Sequence, residues 1–159
     1  TVLRDAATID LNVPVIASSA DMTYEQMRQY ASFLPKELLF PGPSFLARSA
    51  ANKRAGAVQR QFVDALTAAG LQPDFVSSTA WDPGLITITA LRSLGATATA
   101  EQLRAYISGL HGFSGISGEY DFRASSERGL TDRDVMIMRW DSNQKAWTAV
   151  SQLGGKPLR

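Results

Sequence analysis

Cysteine is absent from the 159 residues, which excludes a disulfide scaffold, a thiolate zinc site and a cysteine nucleophile. Its absence leaves the redox compartment open. Histidine occurs once, at His111. A multi-histidine metal site is therefore excluded, and any Ser-His-Asp arrangement has to use that residue. Neither sign of charge predominates: 16 basic and 15 acidic residues give a net charge of +1, so no global field points to nucleic acid or to an acidic surface. No apolar run approaches the roughly 20 residues that a membrane span needs. Glycine-rich phosphate loops are missing too. The glycines at 112, 115 and 118 follow a helical pattern and precede a strand pattern, the wrong context for dinucleotide binding. There is no internal repeat and no low-complexity tract.

What is present suffices for one core, with 45% apolar residues in a chain of ordinary domain length. The longest apolar segment, Gln72 to Leu94 (QPDFVSSTAWDPGLITITALRSL), predicts a buried central helix. It is expected to kink or restart at Pro83, with Asp82 capping the second piece. The chain has no initiator Met and opens as if a helix were ending before a strand. That is expected of a mature or truncated piece whose leader, if any, is gone.

In chain order, Val2 to Ile9 is weakly helical, and Val13 to Ala17, opened by Pro14, has the pattern of a buried parallel strand. Ser18 to Asp21 is a polar turn. Thr23 with Gln26 forms a capping-box pattern for a helix whose face carries Met27, Tyr30, Ala31 and Leu34. Lys36 to Pro41 reads as the next strand, stopped by Pro41-Gly42-Pro43, so a βαβ unit and a parallel sheet are expected. Ser44 to Ala57 reads as a basic loop. A helix from Val58 to Ala69 follows, with Val58, Phe62, Ala65, Leu66 and Ala69 inward and Gly70 ending it. Thr99 and Gln102 cap a helix with Leu103, Tyr106, Ile107 and Leu110 inward, closed by His111-Gly112. Gly115 to Phe122 turns into a strand, and Val135–Trp140 and Ala146–Val150 form a hairpin. Residues 154–159 read as a frayed tail.

Few residues carry a chemical signal. His111 at a helix end suits capping of exposed carbonyls better than catalysis. Glu119 and Asp121 share one side of a strand, which could serve acid/base work or a metal but is the ordinary look of an exposed face. Arg48, Lys53, Arg54 and Arg60 lie in a run without acidic residues from Ala47 to Val63. With no aromatic interleaving, that run reads as a solvated face. The site with most support comes from fold physics, because ligands of open parallel α/β sheets bind beyond the carboxyl ends of the strands. Those ends carry Ser18, Ser19 and Asp21 and then Phe40-Pro41-Gly42-Pro43. The competing role is helix capping by Asp21 or Thr23.

The ordered set PVIAS, LLFPGP, AVQRQFVDALTAAG, QPDFVSSTAWD, TAEQLRAYISGL, FSGISGEYDF and VMIMRWDSNQKAWTAV resembles the C-terminal portion of type I periplasmic solute-binding proteins. The resemblance spans nearly the whole chain and is to the leucine/isoleucine/valine-binding family of ABC transporters, that is, branched-chain amino acid binders. It implies an α/β fold made of parts of two lobes, with parallel sheets flanked by helices and a C-terminal β-hairpin. Residues 1–42 would belong to the second lobe, 43–133 to the first, and 134–159 would return to the second and end in a tail. It also implies a non-enzymatic, periplasmic (extracytoplasmic) protein without cofactor, catalytic residue or metal. Such a protein closes on a small solute and delivers it to ABC permease subunits, and its missing N-terminal portion would be a further partner.

The same resemblance places the family's ammonium-holding acidic residue at Ser19, with Asp21 as a substitute if the turn points it inward. The departure at Ser19 favours a carboxylate without an amine, such as an aromatic or keto acid, over an α-amino acid. It places an apolar or aromatic ligand contact at Phe75, Val76 or Trp81, residues that would otherwise be core. The implied ligand-binding set is therefore Ser18, Ser19, Asp21, Phe75, Val76 and Trp81. Two alternatives stay open: a ligand-sensing domain of a regulator or receptor with the same fold, and a small hydrolase using Ser18 or Ser19 with His111. Exposed apolar surface on a chain lacking half of each lobe predicts self-association, and nucleic acid is not expected as a partner.

Overall fold

The computed structural model describes residues 2–47 and 56–158. Helix α1 (Val2–Thr8) leads to strand β1 (Val15–Ile16). A single 3-10 turn at Ser19–Asp21 and helix α2 (Tyr24–Gln29) then return the chain to strand β2 (Leu38–Pro43). The Thr23 hydroxyl accepts the Gln26 amide N–H at 3.1 Å and so caps α2. β1 and β2 are parallel, with Val15 opposite Leu38 and Ile16 opposite Leu39, which completes the expected βαβ unit.

Two expectations for this unit are corrected. β1 is not buried: Ile16 is 71% exposed and Val13 47%, because among the described residues β1 is an outer strand with a neighbour on one side only. β2 is not stopped at Pro41 but runs through Pro43. β1 covers only Leu38 and Leu39, so from Phe40 onward β2 has a single partner, and a proline without an N–H is tolerated on that free edge. Gly42 fits where no larger residue would, since a Cβ there would lie 2.6 Å from Met138 Cε and 2.8 Å from Met22 Sδ.

The middle of the chain is mainly helical. Helix α3 (Gly56–Ala68) ends at Gly70, whose φ of +72° glycine adopts freely. Its buried face holds Gln59 and Phe62, not the expected Ala65 and Ala69, which are exposed. Helix α4 (Phe75–Ser78) opens with an Asp74–Ser77 capping box, and helix α5 (Trp81–Leu94) follows. The expected break at Pro83 therefore falls earlier, at Thr79–Ala80, and Pro83 sits inside the first turn of α5, where its missing N–H is harmless. α5 is also not wholly buried. Asp82, Ile86 and Ala90 face inward, whereas Ile88 and Leu94 are exposed. Helix α6 (Ala100–Ser108) is opened by a reciprocal Thr99–Gln102 box. Its C-cap is Gly109, and His111 instead begins strand β3 (His111–Ser114), so the helix-capping role foreseen for His111 does not hold. β3 pairs antiparallel with strand β4 (Glu119–Asp121).

A Thr131–Asp134 capping box at a 3-10 turn leads into strand β5 (Val135–Asp141), which forms a hairpin with strand β6 (Ala146–Ala149). β5 lies antiparallel to β2, with Pro43 opposite Val135, and the sheet order is β1-β2-β5-β6. The sheet is thus mixed, parallel only at its first pair. Residues 154–157 are not frayed: Gln152 N–H donates to Lys156 O at 2.7 Å, and Ser151 bridges Pro157.

The core packs Met22, Met27, Leu38, Phe40, Met136, Met138 and Trp147 on this sheet. Trp147 is fully buried, with Tyr24 and Trp140 rings edge-on at 4.7 and 4.8 Å. Each such side chain contributes about 1.5–3 kcal/mol through burial. A separate aromatic stack, Phe45–Phe62–Trp81 at 5.3 and 5.1 Å, ties α3 to α5.

Candidate functional site

At the carboxyl end of β2 a cleft of about 360 Å³ opens between the sheet and the start of α5. Its size is within the range of small-molecule sites. Ser19, Pro41, Gly42, Pro43, Asp134 and Val135 line it from the sheet side, with Phe75 from α4. Thr79, Pro83, Ser117, Tyr120 and Leu130 complete the opposite wall.

Asp82 organises that wall. Its carboxylate, 1% exposed, accepts the backbone N–H groups of Ile116 at 2.9 Å and Ser117 at 3.1 Å and the Tyr120 hydroxyl at 3.0 Å. Burying a carboxyl group is costly unless its oxygens are hydrogen-bonded, as they are here. The loop must come very close to make these bonds. A Cβ at Gly115 would lie 2.6 Å from Asp82 Oδ2, and one at Gly118 would lie 2.5 Å from Asp134 Oδ1. Burial first, and then the adjacent Asp82 carboxylate, push the Tyr120 hydroxyl far above its ordinary value. Tyr120 is consequently a fixed donor to Asp82 and unsuited to giving up its proton. Gln59, buried on α3, donates to Ile116 O at 2.9 Å and holds the same loop from behind.

Asp134 differs from Asp82. Its Oδ2 accepts the Thr131 N–H at 2.9 Å and the Thr131 hydroxyl at 3.3 Å. Its Oδ1 lies beside Gly118, and the residue borders the cleft.

Of the residues singled out in the sequence, the cleft brings together Ser19 and Phe75. Ser18 and Asp21 are not part of its lining. The Ser18 hydroxyl donates to Asp21 Oδ2 at 3.0 Å, and Asp21 borders a separate hollow beside α1 and β1. Val76 is 54% exposed on the outer side of α4, and Trp81 packs on Phe62. His111 is exposed and does not border the cleft. Arg48, Lys53 and Arg54 lie outside the described residues, and Arg60 is exposed on α3. Asp82, Ser117, Tyr120 and Asp134 went unrecognised in the sequence. The signal is the Gly-x-x-Gly spacing at 115 and 118, two residues before the aromatic Tyr120, which marks a tight backbone approach without naming its partner. Among the described residues no group of three or more His, Asp or Glu could hold a metal ion, and no helix is long and apolar enough to cross a membrane.

No family model and no curated protein matches the chain. Solved structures do. An extracellular ligand-binding receptor from Rhodopseudomonas palustris HaA2 superposes with a TM-score of 0.71 at 13% identity, over 94% of this chain and 44% of that one. A second extracellular ligand-binding receptor from Rhodopseudomonas palustris gives 0.69 at 12% identity, over 91% and 42%. The branched-chain amino acid transporter substrate binding protein LivJ from Streptococcus pneumoniae, in complex with isoleucine, gives 0.63 at 16% identity, over 94% and 40%. The chain thus spans about two fifths of the length of each of these structures. Its mixed α/β sheet flanked by helices is the fold of part of a type I periplasmic binding protein.

Proposed function

We propose that this chain is the C-terminal part of an extracytoplasmic solute-binding protein that captures a small organic solute by lobe closure and hands it to an ABC permease. The observation that carries this reading is the cleft at the carboxyl end of β2, whose two walls come from different parts of the chain. One wall is the sheet built from residues 15–43 and 135–149, and the other is α5 with the 115–118 loop. A solute touching both walls favours the closed arrangement by its differential contacts. In this reading residues 1–42 and 134–159 belong to one lobe and 43–133 to the other. Ser19 and Phe75 contact the solute, and the protein carries out no chemistry and works in the periplasm. The fold shared with the extracellular ligand-binding receptors and LivJ supports it.

The test is thermal-shift screening of the natural full-length protein against amino acids and against aromatic and aliphatic acids and amines. A ligand at 100 times its Kd stabilises by about 2.7 kcal/mol, so one class is expected to raise the melting temperature by several degrees. Ser19→Trp, which fills the cleft, should abolish that rise. A rise that survives Ser19→Trp sinks the reading.

A further inference from the structure

We propose that a second hollow, at the end of the sheet away from the cleft, is a docking surface for a protein partner, and that it takes one aromatic side chain flanked by carboxylates on an acidic segment of that partner. The hollow encloses about 200 Å³. It lies where β5 ends: Trp140 lines it, whereas Val135, at the start of the same strand, lines the cleft. About 17 Å of extended strand separates the two. The hollow and the cleft share no lining residue, and the solute-binding reading is not needed for a role here.

Tyr24, Met27, Leu34 and Trp140 give the hollow its apolar lining, and Arg28 and Lys145 give it two cations. Among the described residues no carboxylate lines it, and neither cation forms an ion pair. Asp141 is nearby in the chain but is engaged in the hairpin turn, where its Oδ1 accepts the Asn143 and Gln144 N–H groups at 2.9 and 3.0 Å. Sites that enclose a whole small molecule run from about 300 Å³ upward. This hollow instead has the scale of a pocket for one anchoring side chain at a protein interface. The Tyr24 and Trp140 rings stand edge-on at 6.0 Å, so a third ring finds there the edge-to-face contacts that aromatic pairs prefer. The two cations then favour carboxylates beside that ring and oppose a basic partner.

The backbone at Lys145 supports the choice of partner. Its φ is +49°, a left-handed conformation that glycine adopts freely and a residue with a Cβ only at a cost. The turn itself is held by Asp141 and draws nothing from the lysine charge. A lysine where the turn favours glycine is accounted for by what its ammonium meets outside the chain.

The experiment is fluorine NMR of the peptide acetyl-Glu-(para-fluoro-Phe)-Glu-amide with the full-length protein. The protein should broaden its line, and at equal concentration broaden the Lys-flanked counterpart at least threefold less. Lys145→Gly should keep or raise the melting temperature, because it relieves the turn, while weakening the peptide about threefold, the worth of an exposed ion pair. Arg28→Gln should weaken it similarly, and Ser19→Trp, which fills the cleft, should leave it unchanged. No broadening at millimolar protein, equal broadening of the two peptides, or unweakened binding in Lys145→Gly overturns the proposal. So does a melting temperature lowered by Lys145→Gly, or binding lost in Ser19→Trp, which would place the peptide in the cleft. Para-fluorophenylacetate binding as tightly as the peptide would make the hollow a small-molecule site, and a shift of the protein from dimer to monomer in Lys145→Gly would make its occupant a second copy; either result overturns the proposal as well.

Discussion

The Tyr120 hydroxyl donates to Asp82 Oδ2 at 3.0 Å, joining the second residue of α5 to the middle of β4 across 38 residues of sequence. The carboxylate holds the Ile116 and Ser117 N–H groups as well, so one side chain at a helix start fixes the shape of the loop forming one wall of the cleft. Asp82→Ala would strand both backbone donors and the phenol in a dry site. Each buried unsatisfied group costs about 1–3 kcal/mol, so the substitution is expected to destabilise by about 3–5 kcal/mol. Urea unfolding should show a lower midpoint with an unchanged slope. A loss under 1 kcal/mol would mean that the loop is held by something else.

The same pair fixes a pH dependence. The Tyr120 pKa is raised in the folded chain, by burial first and by Asp82 second. The unfolded chain releases the proton near pH 10 while the folded chain keeps it, so above that pH the folded state binds more protons and stability falls as pH rises. The Tyr120 contribution is fully present below pH 10 and is lost above it. Tyr120→Phe should flatten that alkaline decline, measured as the melting temperature between pH 8 and 11. An unchanged decline in the variant would assign it to other groups.

Glycine positions separate close approach from mere flexibility. At Gly115 a Cβ would meet Asp82 Oδ2 at 2.6 Å and Tyr120 Cε2 at 2.7 Å, and both atoms are held in place. Gly115→Ala should therefore cost about 2 kcal/mol or more. Gly84 lies in the first turns of α5 with nothing within 4 Å of an added Cβ. Gly84→Ala should stabilise by about 0.5–1 kcal/mol through helix propensity and a less flexible unfolded chain. Thermal melts of the two variants should move in opposite directions.

How much of this the sequence disclosed depends on the range of the interaction. Capping at Thr23, Asp74 and Thr99 is written within four residues; the reciprocal box expected at Thr99 forms, whereas at Thr23 only the N-cap half of the expected box does. The βαβ unit and the hairpin at Asp141 follow from hydrophobic period and turn residues. Asp82 was misread because a Pro-Gly pair after an acidic residue is a local capping signal, whereas its actual partners lie 34 to 38 residues away and no short-range pattern records them. Val-Pro-Val-Ile is apolar and so suggests a buried strand at β1, but composition does not say on which side of a sheet a strand has a neighbour. Of the cleft, Ser19 is legible from its place at a strand end and Phe75 only from the family resemblance. The place of Asp134 in the lining is not, because it depends on the antiparallel register that sets Val135 opposite Pro43.

The outer position of β1 is expected to govern the solution behaviour of the 159-residue chain. Ile16 is 71% exposed, and Val2 and Ile9 are 78% and 72% exposed, with Leu11 and Val13 near half. They accompany a strand that, among the described residues, has a partner on one side only. An apolar outer strand invites edge pairing with another chain, and a charge there opposes it. The isolated chain is expected to self-associate with rising concentration, and Ile16→Lys to shift it toward monomer without a large change in unfolding midpoint, because Ile16 loses little burial. Light scattering over a concentration series checks both. If the unaltered chain stays a monomer at 100 times the lowest concentration at which it can be measured, the edge is protected in solution and this account of β1 is wrong.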